Sequence, residues 1–142
     1  MDLLIIGGTR FYGRAIVDAA LRNSHRLSLF HRGQTNPDLF PQVEHLLGDR
    51  NGDLEALRGR RWDAVIDVSG YFPRQVRSLL EVLASATPHY TFISSISVYR
   101  DTREVGLDES YPVGQIDDPA VEQVSNETYG PLTAARSNAS HR

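Results

Sequence analysis

The chain has 142 residues, 23% of them charged and 40% hydrophobic, with a formal net charge of −3 at pH 7. That length suits one domain burying roughly two thirds of its unfolded surface, and the negative balance supplies no general attraction to nucleic acid. There is no cysteine, which excludes disulfides, thiol nucleophiles and thiolate metal sites, and all 15 basic residues are arginine, so no lysine can reach a site.

Leu3-Leu4-Ile5-Ile6 reads as a buried strand, Gly7-Gly8-Thr9-Arg10-Phe11-Tyr12-Gly13 as a tight turn, and the run through Ile16, Ala20 and Leu21 as an amphipathic helix. Strand, glycine turn and helix in that order form a phosphate cradle. The glycines let the chain reverse sharply, backbone N–H groups approach a pyrophosphate, and the positive helix end receives it. Thr9, Arg10 and Phe11 line this turn, Arg10 stands where the usual fingerprint has its central glycine, and Gly13 lets helix and strand pack closely. The alternative is a plain strand-to-helix turn with no ligand. The opening apolar run is too short for a signal or membrane helix and has no basic flank, so a cytoplasmic protein without a membrane partner is expected.

Leu27-Ser28-Leu29-Phe30 follows as a second strand, and Val43-Glu44-His45-Leu46-Leu47 as a weaker third. The second ends in His31-Arg32-Gly33, with no Asp or Glu to accept from a ribose 2′-OH. Arg32 and Arg10 together suit a 2′-phosphate, which favours NADP over NAD; an arginine simply solvated at a strand end is the alternative. Asp49 and Arg50, just past the third strand, would face the adenine. Asp63 to Val68 is a buried strand ending at Ser69-Gly70, and Pro73 then suits a helix first turn, with Val76, Leu79, Leu80 and Leu83 at helical spacing. Tyr90-Thr91-Phe92-Ile93 is the last strand and runs into Ser94-Ser95-Ile96-Ser97. The alternation predicts an α/β fold: a doubly wound, Rossmann-type parallel sheet in three layers, strand order 3-2-1-4-5, with right-handed crossovers.

From Glu104 to Glu127 there are seven acidic residues, no arginine, and turn formers such as Pro112, Gly114 and Pro119. A solvated loop with a short helix after Pro119 is expected, an acidic binding surface being the other reading. His25, His31, His45, His89 and His141 show no paired metal spacing, so no metal is expected. Arg58, Arg60 and Arg61 form one local basic cluster, which leaves nucleic acid an unfavoured partner.

The glycine turn, the strand ends and the late tyrosine together resemble the extended short-chain dehydrogenase/reductase family, in its NAD-dependent epimerase/dehydratase branch, over residues 1 to about 132. The family's glycine motif falls on Gly7, Arg10 and Gly13, its loop after strand four on Ser69-Gly70, its Ser-Ser-x-x-Val-Tyr element on Ser94-Ser95-Ile96-Ser97-Val98-Tyr99, and its Tyr-x-x-x-Lys element on Tyr129 to Thr133. The Gly-Gly-Thr-Arg-Phe turn is similar to an atypical subgroup that includes plastid RNA-associated proteins. The resemblance implies a nicotinamide dinucleotide cofactor, a hydroxylated, nucleotide-linked sugar substrate, Tyr129 as acid/base, Ser95 hydrogen-bonding the substrate hydroxyl, and homo-oligomers as a further partner class. The bland readings are a strand-end hydroxyl for Ser95 and a helix-face aromatic for Tyr129.

Where the family places its lysine this chain has Thr133. A phenol that no cation assists is only about one part in a thousand ionised at neutral pH, and Arg136, with different geometry, is not an evident replacement. Residues 133–142 are polar and lack an apolar stripe, so they read as a polar tail behind a 1–132 nucleotide-binding domain. The family continues with more sheet and a smaller substrate domain, so the expectation is a truncated or frame-shifted relative with impaired turnover. The alternative is a catalytically silent NADP-binding or RNA-associated module.

Overall fold

Leu4, Ile5 and Ile6 are buried on both sides of the strand that carries them, as a central parallel strand requires. The computed structural model describes residues 1–103, 105–116, 118, 122–125 and 127–140. These form two units, Met1–Ser69 with Ser78–Ile93, and Gly70–Arg77 with Ser94–Arg142.

The first unit holds β1 (Asp2–Ile6), α1 (Phe11–Arg22), β2 (Arg26–His31), β3 (Glu44–Leu47), a 3₁₀ turn (Glu55–Leu57), β4 (Ala64–Asp67) and β5 (Tyr90–Phe92). All strand pairs are parallel and the order is β3-β2-β1-β4-β5, the expected 3-2-1-4-5. Alternate residues feed two cores. Leu3, Ile5, Leu27 and Leu29 pack with Val17 and Ala20 of α1 on one face. Leu4, Ile6, Phe30, Leu46 and Val65 pack on the other with Leu57 of the 3₁₀ turn and with Leu79 and Leu83 of α2 (Pro73–Leu83). This is the doubly wound, three-layer arrangement, with one departure. The expected crossover helix between β2 and β3 is missing: residues 32–43 form a loop carrying Gly33, Pro37 and Pro41. These residues break helical continuity, and Gly33 sits at φ +69.

The second unit contains a 3₁₀ turn (Ile96–Val98) and α3 (Tyr129–Ser140). Ser125 and Thr128 cap α3 reciprocally: the Ser125 hydroxyl accepts from the Thr128 N–H (3.2 Å) while the Thr128 hydroxyl accepts from the Ser125 N–H (2.8 Å). The boundary expected after Leu132 falls inside α3, which runs on to Ser140. Residues 133–140 are helical although they lack an apolar stripe, and the polar side chains of Thr133 and Arg136 are buried on hydrogen bonds within α3 and to the Tyr71 carbonyl. The Thr133 hydroxyl donates to the Tyr129 carbonyl (2.7 Å) and accepts from Arg136 Nη2 (2.6 Å). In the acidic segment, Glu122 forms an ion pair with Arg74 that holds its carboxyl below the usual range. The short helix expected after Pro119 begins on residues outside those described. No helix among the described residues is long and apolar enough to cross a membrane.

Candidate functional site

The glycine turn links the C-terminal end of β1 to α1. Gly7 and Gly8 both adopt φ +99, a conformation that residues with a Cβ rarely take. A Cβ on Gly7 would lie 2.9 Å from Val68 Cγ2, and one on Gly13 would lie 2.7 Å from Gly8 Cα and 2.9 Å from Gly8 N. Gly13 thus holds the first turn of α1 against the turn backbone. Arg10 is the helix N-cap, no side chain accepts there, and no carboxylate sits in the first turn. The α1 start therefore presents its N–H groups and positive end without an internal anion. Phe11 enters the helix at φ +40, a strained value for an aromatic residue. Its ring and that of Tyr12 are 80% and 78% exposed, with the Arg10 guanidinium 5.4 Å above the Phe11 ring. Thr9 is buried, and its carbonyl accepts from Asn36 Nδ2 (2.9 Å).

The remaining candidates of this unit stand at neighbouring strand ends. Arg32 is exposed one residue beyond β2. The Asp49 carboxylate closes a local turn, accepting from the N–H and Nδ2 of Asn51 (2.9 Å each). Arg50 points inward: its two Nη atoms each donate to an oxygen of fully buried Asp67 at 2.8 Å, and Nη1 also reaches the Ser69 hydroxyl (3.2 Å). Asp67 further accepts from the Tyr90 hydroxyl (2.7 Å) and the Ser69 N–H (3.0 Å). Burial first, then the facing Asp67 charge, pushes the Tyr90 phenol well above its ordinary pKa. Sequence reasoning passed over Asp67 and Tyr90. The available signal was a carboxylate ending an otherwise apolar strand, since such a group is kept inside only with partners.

Gly70, Ser95 and Tyr129 belong to the second unit. Ser95 caps the 3₁₀ turn, its hydroxyl accepting from the Ser97 N–H (3.2 Å) and donating to the Ser97 hydroxyl (3.3 Å). Gly130 brings α3 against that turn, because a Cβ there would lie 2.6 Å from the Ser97 carbonyl oxygen. Ser95 and Tyr129 therefore flank one junction. Arg136 lies two helical turns beyond Tyr129, buried, with its guanidinium carbon 5.6 Å from the Tyr129 ring centroid and Nη1 donating to the Tyr71 carbonyl (3.0 Å). Sequence reasoning set Arg136 aside; the structure places it on the tyrosine. A cavity of about 870 Å³ opens beside Tyr129, lined among others by Tyr99, Arg100, Arg103 and Glu127.

No protein-family model matches the chain. Over 114 residues, 68% of this chain, it is 31% identical to the chloroplast stem-loop binding protein of 41 kDa b from Arabidopsis thaliana, of which the match covers 30%. A UDP-glucose 4-epimerase from Bifidobacterium longum, solved with NAD+ and UDP, superposes with a TM-score of 0.78 at 18% identity, over 99% of this chain and 48% of that one. A short-chain dehydrogenase/reductase superfamily protein from Agrobacterium tumefaciens with bound NAD gives 0.72 at 19% identity, over 98% and 44%. The fold is that of the short-chain dehydrogenases/reductases. The chain spans about half the length of these solved structures and under a third of the curated relative.

Proposed function

We propose that this chain is a nicotinamide dinucleotide-binding member of the extended short-chain dehydrogenase/reductase family, in its epimerase/dehydratase branch, with NADPH preferred over NADH. The observation that carries the reading is the glycine turn, where three glycines are packed so that a Cβ would meet a neighbour (at 2.7 Å for Gly13), and the helix start behind it lacks any capping acceptor. Gly7, Thr9, Arg10, Phe11 and Gly13 would hold the pyrophosphate, Arg32 the 2′-phosphate, and Asp49 the adenosine side. Arg50 and Ser69 act behind them through their bonds to Asp67. When bound, the cofactor supplies a hydride acceptor or donor.

In the second unit Tyr129 Oη is the group proposed to move a proton at a substrate hydroxyl, with Ser95 hydrogen-bonding that hydroxyl and the neighbouring cavity receiving a hydroxylated, sugar-type ligand. Turnover by this chain is proposed to be impaired, because position 133 carries a threonine whose hydroxyl is spent within α3. Titration of the purified chain with NADPH and NADH, followed by cofactor fluorescence, tests the binding reading; no saturable binding of either refutes it. Incubation with cofactor and nucleotide sugars tests the rest. Steady turnover that Tyr129→Phe abolishes would confirm the tyrosine and refute the impairment.

One set of observations favours a second reading, an RNA-associated module. Phe11 and Tyr12 expose their rings on the same turn as Arg10 and Arg14, and the curated relative is named for stem-loop binding. Arg58 and Arg60 contribute less, being paired with Glu55 (3.0 Å) and Glu44 (2.8 Å). Competition between NADPH and a labelled RNA stem-loop distinguishes the two: RNA bound and displaced by NADPH places both on the glycine turn, and absence of RNA binding removes the second reading.

A further inference from the structure

Two histidines from adjacent strands meet on the α1 face of the first unit. The Gly33 N–H donates to Nδ1 of His31 (3.0 Å), Nε2 of His31 lies 2.7 Å from Nδ1 of His45, and Nε2 of His45 lies 3.1 Å from the Phe40 carbonyl oxygen. The two ends of this chain determine every proton in it. A backbone N–H can only donate, so His31 Nδ1 is bare; a carbonyl can only accept, so His45 Nε2 carries a proton. The middle bond then runs from His31 Nε2–H to the bare Nδ1 of His45. Both rings are neutral. A proton added to His31 lands on Nδ1 against the Gly33 N–H, and one added to His45 lands on Nδ1 against the His31 Nε2–H. Either way a bond is lost.

These bonds hold the helix-free loop between β2 and β3. Gly33 near its start is fixed on His31, Phe40 near its end on His45, and Asn36 between them on the Thr9 carbonyl of the glycine turn (2.9 Å). Arg32 sits beside the first of these anchors. Charged side chains on the surrounding elements are Arg32 and Asp38 in the loop, Arg14, Asp18 and Arg22 on α1, Arg26 on β2 and Glu44 on β3. Arg26 is paired with Asp2, and Glu44 with Arg60 and Ser28. Among the described residues none of them is ion-paired or hydrogen-bonded to either ring. Burial, and then His45, hold the His31 pKa below its ordinary value.

We propose that His31 and His45 form a proton-sensitive latch: neutral, the pair holds the loop with Arg32 placed for a 2′-phosphate, and protonation of either ring releases the loop and weakens binding of 2′-phosphorylated dinucleotide. The ligand half rests on the NADPH reading above; the latch itself does not. Imidazole and amide ¹⁵N spectra of the wild-type chain, recorded from about pH 8 to about pH 5, test the latch directly. The expected result is the stated tautomers at high pH and a Gly33 amide that moves together with the protonation of His31, the ring whose pKa burial holds below its ordinary value. A Gly33 amide that stays unmoved while His31 takes up its proton, or tautomers other than those stated, would overturn the latch.

For the ligand half, NADPH and NADH affinities are compared at about pH 7.5 and pH 5.5 in wild type and in His31→Asn/His45→Gln. That variant keeps an oxygen for the Gly33 N–H and a donor for the Phe40 carbonyl but cannot titrate. The phosphate's own protonation is common to both proteins. NADPH affinity should fall on acidification by about fivefold more in wild type than in the variant, and NADH affinity should show no such gap. Equal losses in the two proteins would overturn the coupling. A chain that binds no NADPH at the higher pH refutes the function reading, while the spectra still decide the latch, as they do if the variant fails to fold.

Discussion

Removing the charge at Asp67 should cost more stability than any other single isosteric change in the first unit. The side chain is fully buried and accepts four hydrogen bonds: two from Arg50 at 2.8 Å, one from Tyr90 at 2.7 Å and one from the Ser69 N–H at 3.0 Å. In Asp67→Asn one oxygen remains for Arg50 Nη1 and Ser69, but an amide nitrogen now confronts Arg50 Nη2 and the Tyr90 hydroxyl. Arg50, only 9% exposed, becomes a buried cation without its counter-charge. Breaking such a pair costs about 3–5 kcal/mol, against a total of about 5–15 kcal/mol for a typical domain. The buried donors left unmatched are part of that figure and are not added to it. Urea unfolding followed by the fluorescence of Trp62, the single tryptophan and itself buried, should show a lower midpoint with an unchanged slope. The double variant Arg50→Met/Asp67→Leu should cost less than either single change, since neither charge is then buried alone. A loss below about 1 kcal/mol for Asp67→Asn, or a double variant worse than the sum of its parts, would refute the reasoning.

Gly13→Val should abolish dinucleotide binding and cost about 1–3 kcal/mol of stability, because its Cβ would start 2.7 Å from backbone that cannot yield; normal binding by a folded variant would show that the turn holds no cofactor. Arg32→Asp should reverse the order of NADPH and NADH affinity, each moving by about 1 kcal/mol or more, and unchanged affinities would remove Arg32 from the site. Acid should destabilise the fold through His31. Its folded pKa is lowered, so between that value and the ordinary 6.5 the unfolded chain binds more protons, and stability falls as pH drops through this window. A midpoint of urea unfolding that stays flat or rises across that window in wild type, relative to His31→Asn/His45→Gln, would contradict the assignment.

What the sequence disclosed and what it hid divide along a physical line. The strand order was legible because a parallel sheet buried on both faces writes unbroken apolar runs such as Leu3–Ile6, and the glycine turn because a reversal at φ +99 admits few other residues. The site's polar framework was hidden because it is assembled across strands. His31 and His45 are 14 positions apart in the chain, yet His45 stands opposite Leu29 in the β2–β3 register, one pleat from His31 on the same face. Asp67, Arg50 and Tyr90 meet by the same logic, from three segments whose spacing carries no motif. The end of the chain was misjudged for a different reason. Periodicity detects a helix only when the buried face is apolar, and α3 buries Thr133 and Arg136 beside Leu132 and Ala134. The seven positions from Tyr129 to Arg136 then count as separation in the sequence, whereas two turns at about 3.6 residues each return the chain to the same face. The guanidinium carbon lies 5.6 Å from the tyrosine ring centroid for that reason, on a residue one turn beyond the threonine at position 133.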